Sequence, residues 1–330
     1  RALAVRPTPL LEPIVLALLA DPDPAVAREA MRAAGALGTP ALIDPLIRGL
    51  GRRGVRDEAR RALVGFGSLG LARLADVLGD PAFPQTVRSQ VPLTIALSGA
   101  PQAPALLLSR LRDESDGLVR FNVLRALGRW RKEQPAFPLD RSLLNEALTQ
   151  AVSTSFRMMR WRHVLEQGAR ARPSLDTELH RVLVALLRDK QDHALERAFR
   201  LLNLEAGTDE YRRVYRGLHS PLPQTRAGSR ELLAHMVVPA VREPLFVLVE
   251  DLHGEHGETP GPAGPEPSYS EVLGQIVACG MESASSIAAV HAAELGLHEV
   301  AEAVGRAVPV SEEHAETLGR AASRLNGEAA

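Results

Sequence analysis

A chain of 330 residues in which 45% are hydrophobic but only 4% aromatic must build its core from Leu, Ala and Val, which suits closely packed helices and argues against β-sandwiches. No run reaches the ~18 consecutive apolar residues of a membrane span, and the opening lacks the basic start, apolar centre and small-residue cleavage site of a signal peptide; the chain, beginning at Arg1 rather than Met, reads as a soluble piece of a longer protein. The formal net charge of −1 conceals an asymmetry: residues 1–172 carry 25 Lys and Arg against 16 Asp and Glu, and residues 173–330 carry 14 against 24. A basic front and an acidic back suit different partners, or the solvated sides of helices.

In chain order, Pro9 to Leu19 is an apolar-periodic helix, Asp21 to Pro24 breaks it, and Ala25 to Leu37 is a second helix with Val26, Ala30, Ala33, Ala34 and Leu37 on one face. Asp23 suits the cap of that second helix, Pro24 its first turn and Gly38 its end. The outline returns at "RGVRDEARRALVGFG", "DPAFPQTVRSQVPLTIALSG" and "DESDGLVRFNVLRALG". Aligned on Val26, Val55, Val87 and Val119, the copies are 29, 32 and 32 residues apart. A nearly constant period of this size predicts stacked two-helix units, because neither helix of such a hairpin buries its apolar face alone. The fold class expected is all-α, a superhelical α-solenoid of stacked helical hairpins. Small residues such as Ala30, Ala34, Ala59 and Ala62 mark where helices lie close. Arg56, Arg88 and Arg120 follow their Val directly, and the reading is of a structural ladder in which each reaches the acidic turn of an adjacent unit.

The Asp-Pro turn, the Val-Arg pair and the Ala-rich helix ending in "ALG" or "FG" resemble the HEAT repeats over residues 9 to 132. Beyond them, Ser142 to Ala171 runs as a longer helical segment or two abutting helices. "ELHRVLVALLRDKQDHALERAFRLLNLEAG" and "DEYRRVYRGLHSPLPQTRAGSRELLAHMV" accommodate two more hairpins, with Thr225-Arg226 in the place of Val-Arg. Residues 140 to 305 are similar to the soluble HEAT-repeat regions of bacterial membrane proteins of the ATP/ADP translocase or major facilitator type; the resemblance implies a transporter part upstream of Arg1. The last hairpin, "YSEVLGQIVACGMESASSIAAVHAAELGLHEVAEAV", has no Asp-Pro turn. The expected organisation is a solenoid over 1–253, a Gly- and Pro-rich loop or linker over 254–270, and a terminal hairpin with a cap over 271–330.

Motifs for chemistry are sparse. There is no GxSxG elbow and no Walker GxxxxGK[ST], and Lys132 and Lys190 are the only lysines. Cys279, the single cysteine, reads as a small buried residue in a reducing compartment. "HGEHGE", with His253, Glu255, His256 and Glu258, offers metal-ligand types in a glycine-rich stretch that fixes no geometry; neither a metal nor any other cofactor is expected. Two "RWR" triplets, Arg129-Trp130-Arg131 and Arg160-Trp161-Arg162, hold both tryptophans. An indole between guanidiniums suits anchoring a partner, and it equally suits a Trp that plugs a gap between helices while its arginines reach water.

The expectation is a non-enzymatic, cytoplasmic scaffold that docks a protein, or another domain of its parent, on its concave face, with Trp130, Trp161 and their flanking arginines as contacts. The alternatives are a cytosolic regulatory tail of a membrane transporter, its basic half near an anionic membrane surface, and a nucleic-acid-binding protein, which ranks last.

Overall fold

The structure is a computed structural model that describes residues 9–114, 116–136, 138–237, 239–252 and 267–327. Among the described residues there is no β-strand, and α-helices follow one another from end to end, so the fold is all-α. The chain divides into two compact units, residues 1–148 with 200–211 and residues 149–199 with 212–330.

The first unit is made of helical hairpins. Helices α1 (Glu12–Leu19) and α2 (Pro24–Leu37) form the first; α3 (Ile43–Gly49) and α4 (Arg56–Gly65) the second; α5 (Gly67–Gly79), α6 (Gln85–Arg88) and α7 (Val91–Leu97) the third; α8 (Ala103–Asp113) and α9 (Gly117–Glu133) the fourth. Successive first helices α1, α3, α5 and α8 pack on one another, as do successive second helices α2, α4, α7 and α9. The small residues sit where this packing is tightest: Ala30, Ala34, Ala59 and Ala62 are buried, and a Cβ added at Gly35 would stand 3.1 Å from Ala62 across the α2–α4 contact.

Local chemistry explains the hairpin ends. The Asp23 carboxylate accepts the Ala25 N–H at 2.8 Å, capping α2, and Gly38 takes the left-handed conformation (φ 67°) that lets its N–H reach the Ala34 carbonyl. Asp116 caps α9 in the same way, accepting from Leu118 and Val119. Replacing Asp23 by Ala is expected to cost about 1 kcal/mol, read as a lower urea midpoint, whereas Asp23→Asn keeps an acceptor and most of the stability. The third hairpin departs from the expected single second helix. Pro92, lacking an N–H, cannot continue the α6 ladder, and the segment breaks at Ser89–Gln90 into α6 and α7.

The second unit draws on α10 (Arg141–Ala171), α11 (Glu178–Ala206), α12 (Glu210–Leu218), α13 (Pro223–Met236), α14 (Pro239–Leu252), α15 (Tyr269–Val277), α16 (Glu282–Leu295), α17 (Ala301–Arg306) and α18 (Glu312–Leu325); α10 and α11 contribute residues to both units. Residues 142–171 lie in one continuous helix. The stretch 178–206, expected as a hairpin, is also one helix. It contains no Gly or Pro to end it, and its polar centre is helical because Gln191 is turned inward and buried. Of the segment 271–330, expected as a terminal hairpin and cap, Val272, Ile276, Ala288 and Leu318 share one core with Met158, Trp161 and Leu165 of α10 and Leu183 and Leu187 of α11. Helix α15 opens on a capping box, Ser268 with Glu271, so regular structure begins inside the segment expected as linker.

Candidate functional site

Of the arginines that follow the repeat valines, Arg56 and Arg120 have other partners than the acidic turns of adjacent units. Arg56 donates from Nε to the Leu50 carbonyl at 2.7 Å, Arg120 from Nε to the Glu114 carbonyl at 3.0 Å and Arg226 from Nη1 to the Ser220 carbonyl at 3.1 Å, each six residues back. Each therefore satisfies a carbonyl at the C-terminal end of the preceding helix, where backbone acceptors are orphaned and the helix dipole is negative. Only Arg88 reaches the turn of the next hairpin: it meets the Glu114 carboxylate at 2.6 Å in a buried pair and also donates to the Leu78 carbonyl. Arg56 and Arg120 thus brace their own hairpins, because a side chain in the first turn or so of a helix leans back over the turn before it.

Other residues, not singled out from the sequence, join neighbouring hairpins. Arg52 donates to the Leu19 and Asp21 carbonyls at 3.0 and 2.6 Å, Arg110 to the Gly79 carbonyl at 3.1 Å, Arg73 pairs with Asp44 at 2.7 Å, and Gln85 donates to Asp116 at 2.7 Å. Their separations of 29 to 33 residues match the repeat period, which is the signal that was available.

The two RWR triplets do not form anchors. Trp130 is 2% exposed and Trp161 5%; neither offers its indole to a docking protein. Trp130 falls on the face of α9 that carries the buried Val123, Ala126 and Leu127, three to seven residues earlier. Arg162, expected to face a partner, is also 2% exposed. Arg129 is exposed and paired with Glu133 at 2.8 Å, while Arg131 and Arg160 are half-buried.

Arg162 belongs instead to a polar centre inside the second unit. Its guanidinium holds Asp251 of α14 at 2.6 and 2.5 Å and Glu166 at 3.1 Å. Gln191 of α11 donates to Asp251 at 2.5 Å, and His163 Nε2 lies 2.6 Å from its other oxygen. Burial alone raises the Asp251 carboxyl, but His163, Arg162 and Gln191 outweigh it and hold the group well below the ordinary carboxylate range.

A second polar chain runs through the same unit. Thr177 Oγ1 lies 3.1 Å from His291 Nδ1, His291 Nε2 lies 2.8 Å from the Tyr269 hydroxyl, and that hydroxyl is 2.9 Å from His180 Nδ1. Burial pushes the His291 imidazole down to about 4, lowers His180 and raises the Tyr269 phenol. All three are neutral at pH 7, hydrogen-bonded to one another, and brace α11, α15 and α16. Gly168 makes room for the Tyr269 ring: a Cβ there would come within 2.5 Å of it.

The first unit presents a different feature on its outside. The second helices of three of its four hairpins carry exposed arginines, Arg28 and Arg32 on α2, Arg61 on α4, and Arg125 and Arg129 on α9, whereas α6 and α7 of the third hairpin carry only the buried Arg88. Arg32 and Arg61 share Glu58 at 3.1 and 2.7 Å, and Arg125 stands 5.8 Å over the Phe121 ring. Among the described residues no three His, Cys, Asp or Glu side chains are placed to hold a metal ion; His253, Glu255, His256 and Glu258 lie outside the described residues. No described helix is long and apolar enough to cross a membrane.

No family model and no curated protein matches the chain. Among solved structures, an engineered protein is similar at 15% identity over 99% of this chain and 92% of that one, with a TM-score of 0.23. That score is too low to carry an argument about fold or function.

Proposed function

We propose that the chain is a non-catalytic helical-repeat scaffold of HEAT type, whose successive second helices dock an acidic surface of another protein or of another domain of its parent. The supporting observation is the set of exposed arginines on α2, α4 and α9, from Arg28 to Arg129, with α7 packed between the last two helices. Repeat proteins use such sets as extended docking surfaces, and a surface of one charge speeds and orients encounter with its opposite. The arginines of the ladder, by contrast, are occupied by backbone carbonyls and hold the hairpins together.

The test places a photo-crosslinking residue at position 61 or 125 of the full chain, with position 69, exposed on α5, as the control. One acidic protein captured from positions 61 and 125 and not from 69, and lost on Arg61→Glu with Arg125→Glu and Arg129→Glu at unchanged helicity, is the expected result. Equal labelling from position 69 overturns the reading. Retention of DNA at low salt, lost in the same triple variant, replaces the protein partner with a nucleic acid.

A further inference from the structure

The second unit contains a groove of about 540 Å³, within the range of small-molecule sites, lined along α10 and closed by α14 and α15. Its floor is apolar: Phe156 and Trp161 of α10, Pro244 of α14 and Val272 of α15. Among the described residues none that lines it is acidic. The polar groups at its edge are almost all donors. Arg157 and Arg160 both line it, and neither has a carboxylate partner among the described residues, in contrast to Arg162 beside them. Arg157 is held over the Trp161 ring at 5.4 Å, a cation–π contact that fixes its position at the rim.

Gln275 supplies a third donor by elimination. An indole N–H only donates, so the Gln275 oxygen must be the atom that meets Trp161 Nε1 at 2.8 Å. Its NH₂ group is thereby turned away from the indole, on a residue that lines the groove. Two guanidiniums and an amide N–H₂ around an apolar floor suit an apolar body that carries an anion, and a planar carboxylate is one that arginine binds in a bidentate way.

We infer that this groove is a binding site for a small organic monocarboxylate with an aromatic or aliphatic body. The apolar part lies on Phe156 and Pro244, which Trp161 backs from the core, and the carboxylate accepts from Arg157, Arg160 and Gln275. The site is in a different unit from the exposed arginines of the second helices and stands whether or not those dock a protein.

The experiment is calorimetric titration of the full chain with 4-phenylbutyrate and, separately, with 4-phenylbutanol, which has the same body and no charge. The acid is expected to bind at least about ten-fold tighter than the alcohol, to weaken with added salt, and to fall to the level of the alcohol in Arg157→Gln with Arg160→Gln. Gln275→Glu is the second variant. It keeps an oxygen for the Trp161 N–H and so preserves the packing, but places a negative charge where the NH₂ was, and is expected to abolish binding of the acid. Arg320→Gln, on α18 and outside the groove, is expected to leave binding of the acid unchanged. Equal binding of acid and alcohol, no binding of the acid at millimolar concentration, or undiminished binding in Gln275→Glu overturns the site.

Discussion

Asp251→Ala is expected to destabilise the chain by about 3–5 kcal/mol, because it leaves the Arg162 guanidinium buried without its main counter-charge. Arg162 is 2% exposed and Asp251 8%, so water cannot replace the lost partner. Glu166 remains at 3.1 Å and is more open to solvent, which places the effect toward the lower end of that range. Gln191 loses its acceptor in the same step, adding an unsatisfied buried amide. Urea unfolding followed by circular dichroism measures the change. The double variant Asp251→Ala with Arg162→Met is expected to recover much of the loss, since an apolar side chain of similar length needs no counter-charge. A single-variant loss under about 1 kcal/mol would mean that the pair does not hold α10 to α14.

Lowering the pH from 6.5 to 4 is expected to weaken the fold by about 3 kcal/mol through His291 alone, at about 1.4 kcal/mol per pH unit. His291 is fully buried, and its imidazole titrates at about 4 in the folded chain against about 6.5 in an unfolded one. Between these values the unfolded state takes up a proton that the folded state refuses, so stability falls as pH falls, and the slope vanishes above about 6.5 and below about 4. His180, lowered by burial as well, acts in the same direction. Asp251 is depressed as a carboxylate; its contribution is intact above the unfolded value near 3.9 and is lost only as pH drops below it, which separates the two effects. Stability curves at pH 7, 6, 5 and 4 measure the slope, and His291→Gln, which keeps a side chain able to hydrogen-bond to Tyr269, is expected to flatten it. A wild-type curve flat from pH 7 to 5 would show that the imidazole is not held neutral.

Much of the first unit is legible in the sequence, and particular residues show why. Asp23, Pro24 and Gly38 act on helix ends through contacts within four residues, and all three perform the roles their identities suggest. The period on Val26, Val55, Val87 and Val119 corresponds to hairpins that pack in register, with Val55, Val87 and Val119 buried. The longer helices of the second unit are less legible. Nothing in the polar run 188–193 tells a turn from a helix whose Gln191 is aimed at a buried carboxylate sixty residues away. The RWR triplets mislead for a similar reason. Their flanking arginines look like a basic patch, yet helical geometry sends Arg129, Arg131, Arg160 and Arg162 in different directions, to solvent, to partial burial and to full burial.

By itself, then, the sequence determined the all-helical class, the hairpin period and the helix caps of this protein, because these depend on propensities and hydrogen bonds that act within a turn or two of chain. Only the tertiary structure decided which polar groups meet. Arg162 and Asp251 are 89 residues apart, Trp161 and Gln275 are 114 apart, and Tyr269 joins two histidines from separate helices. Each pairing depends on how whole helices pack, and burial then sets its strength by removing the water that would otherwise compete for the same donors and acceptors.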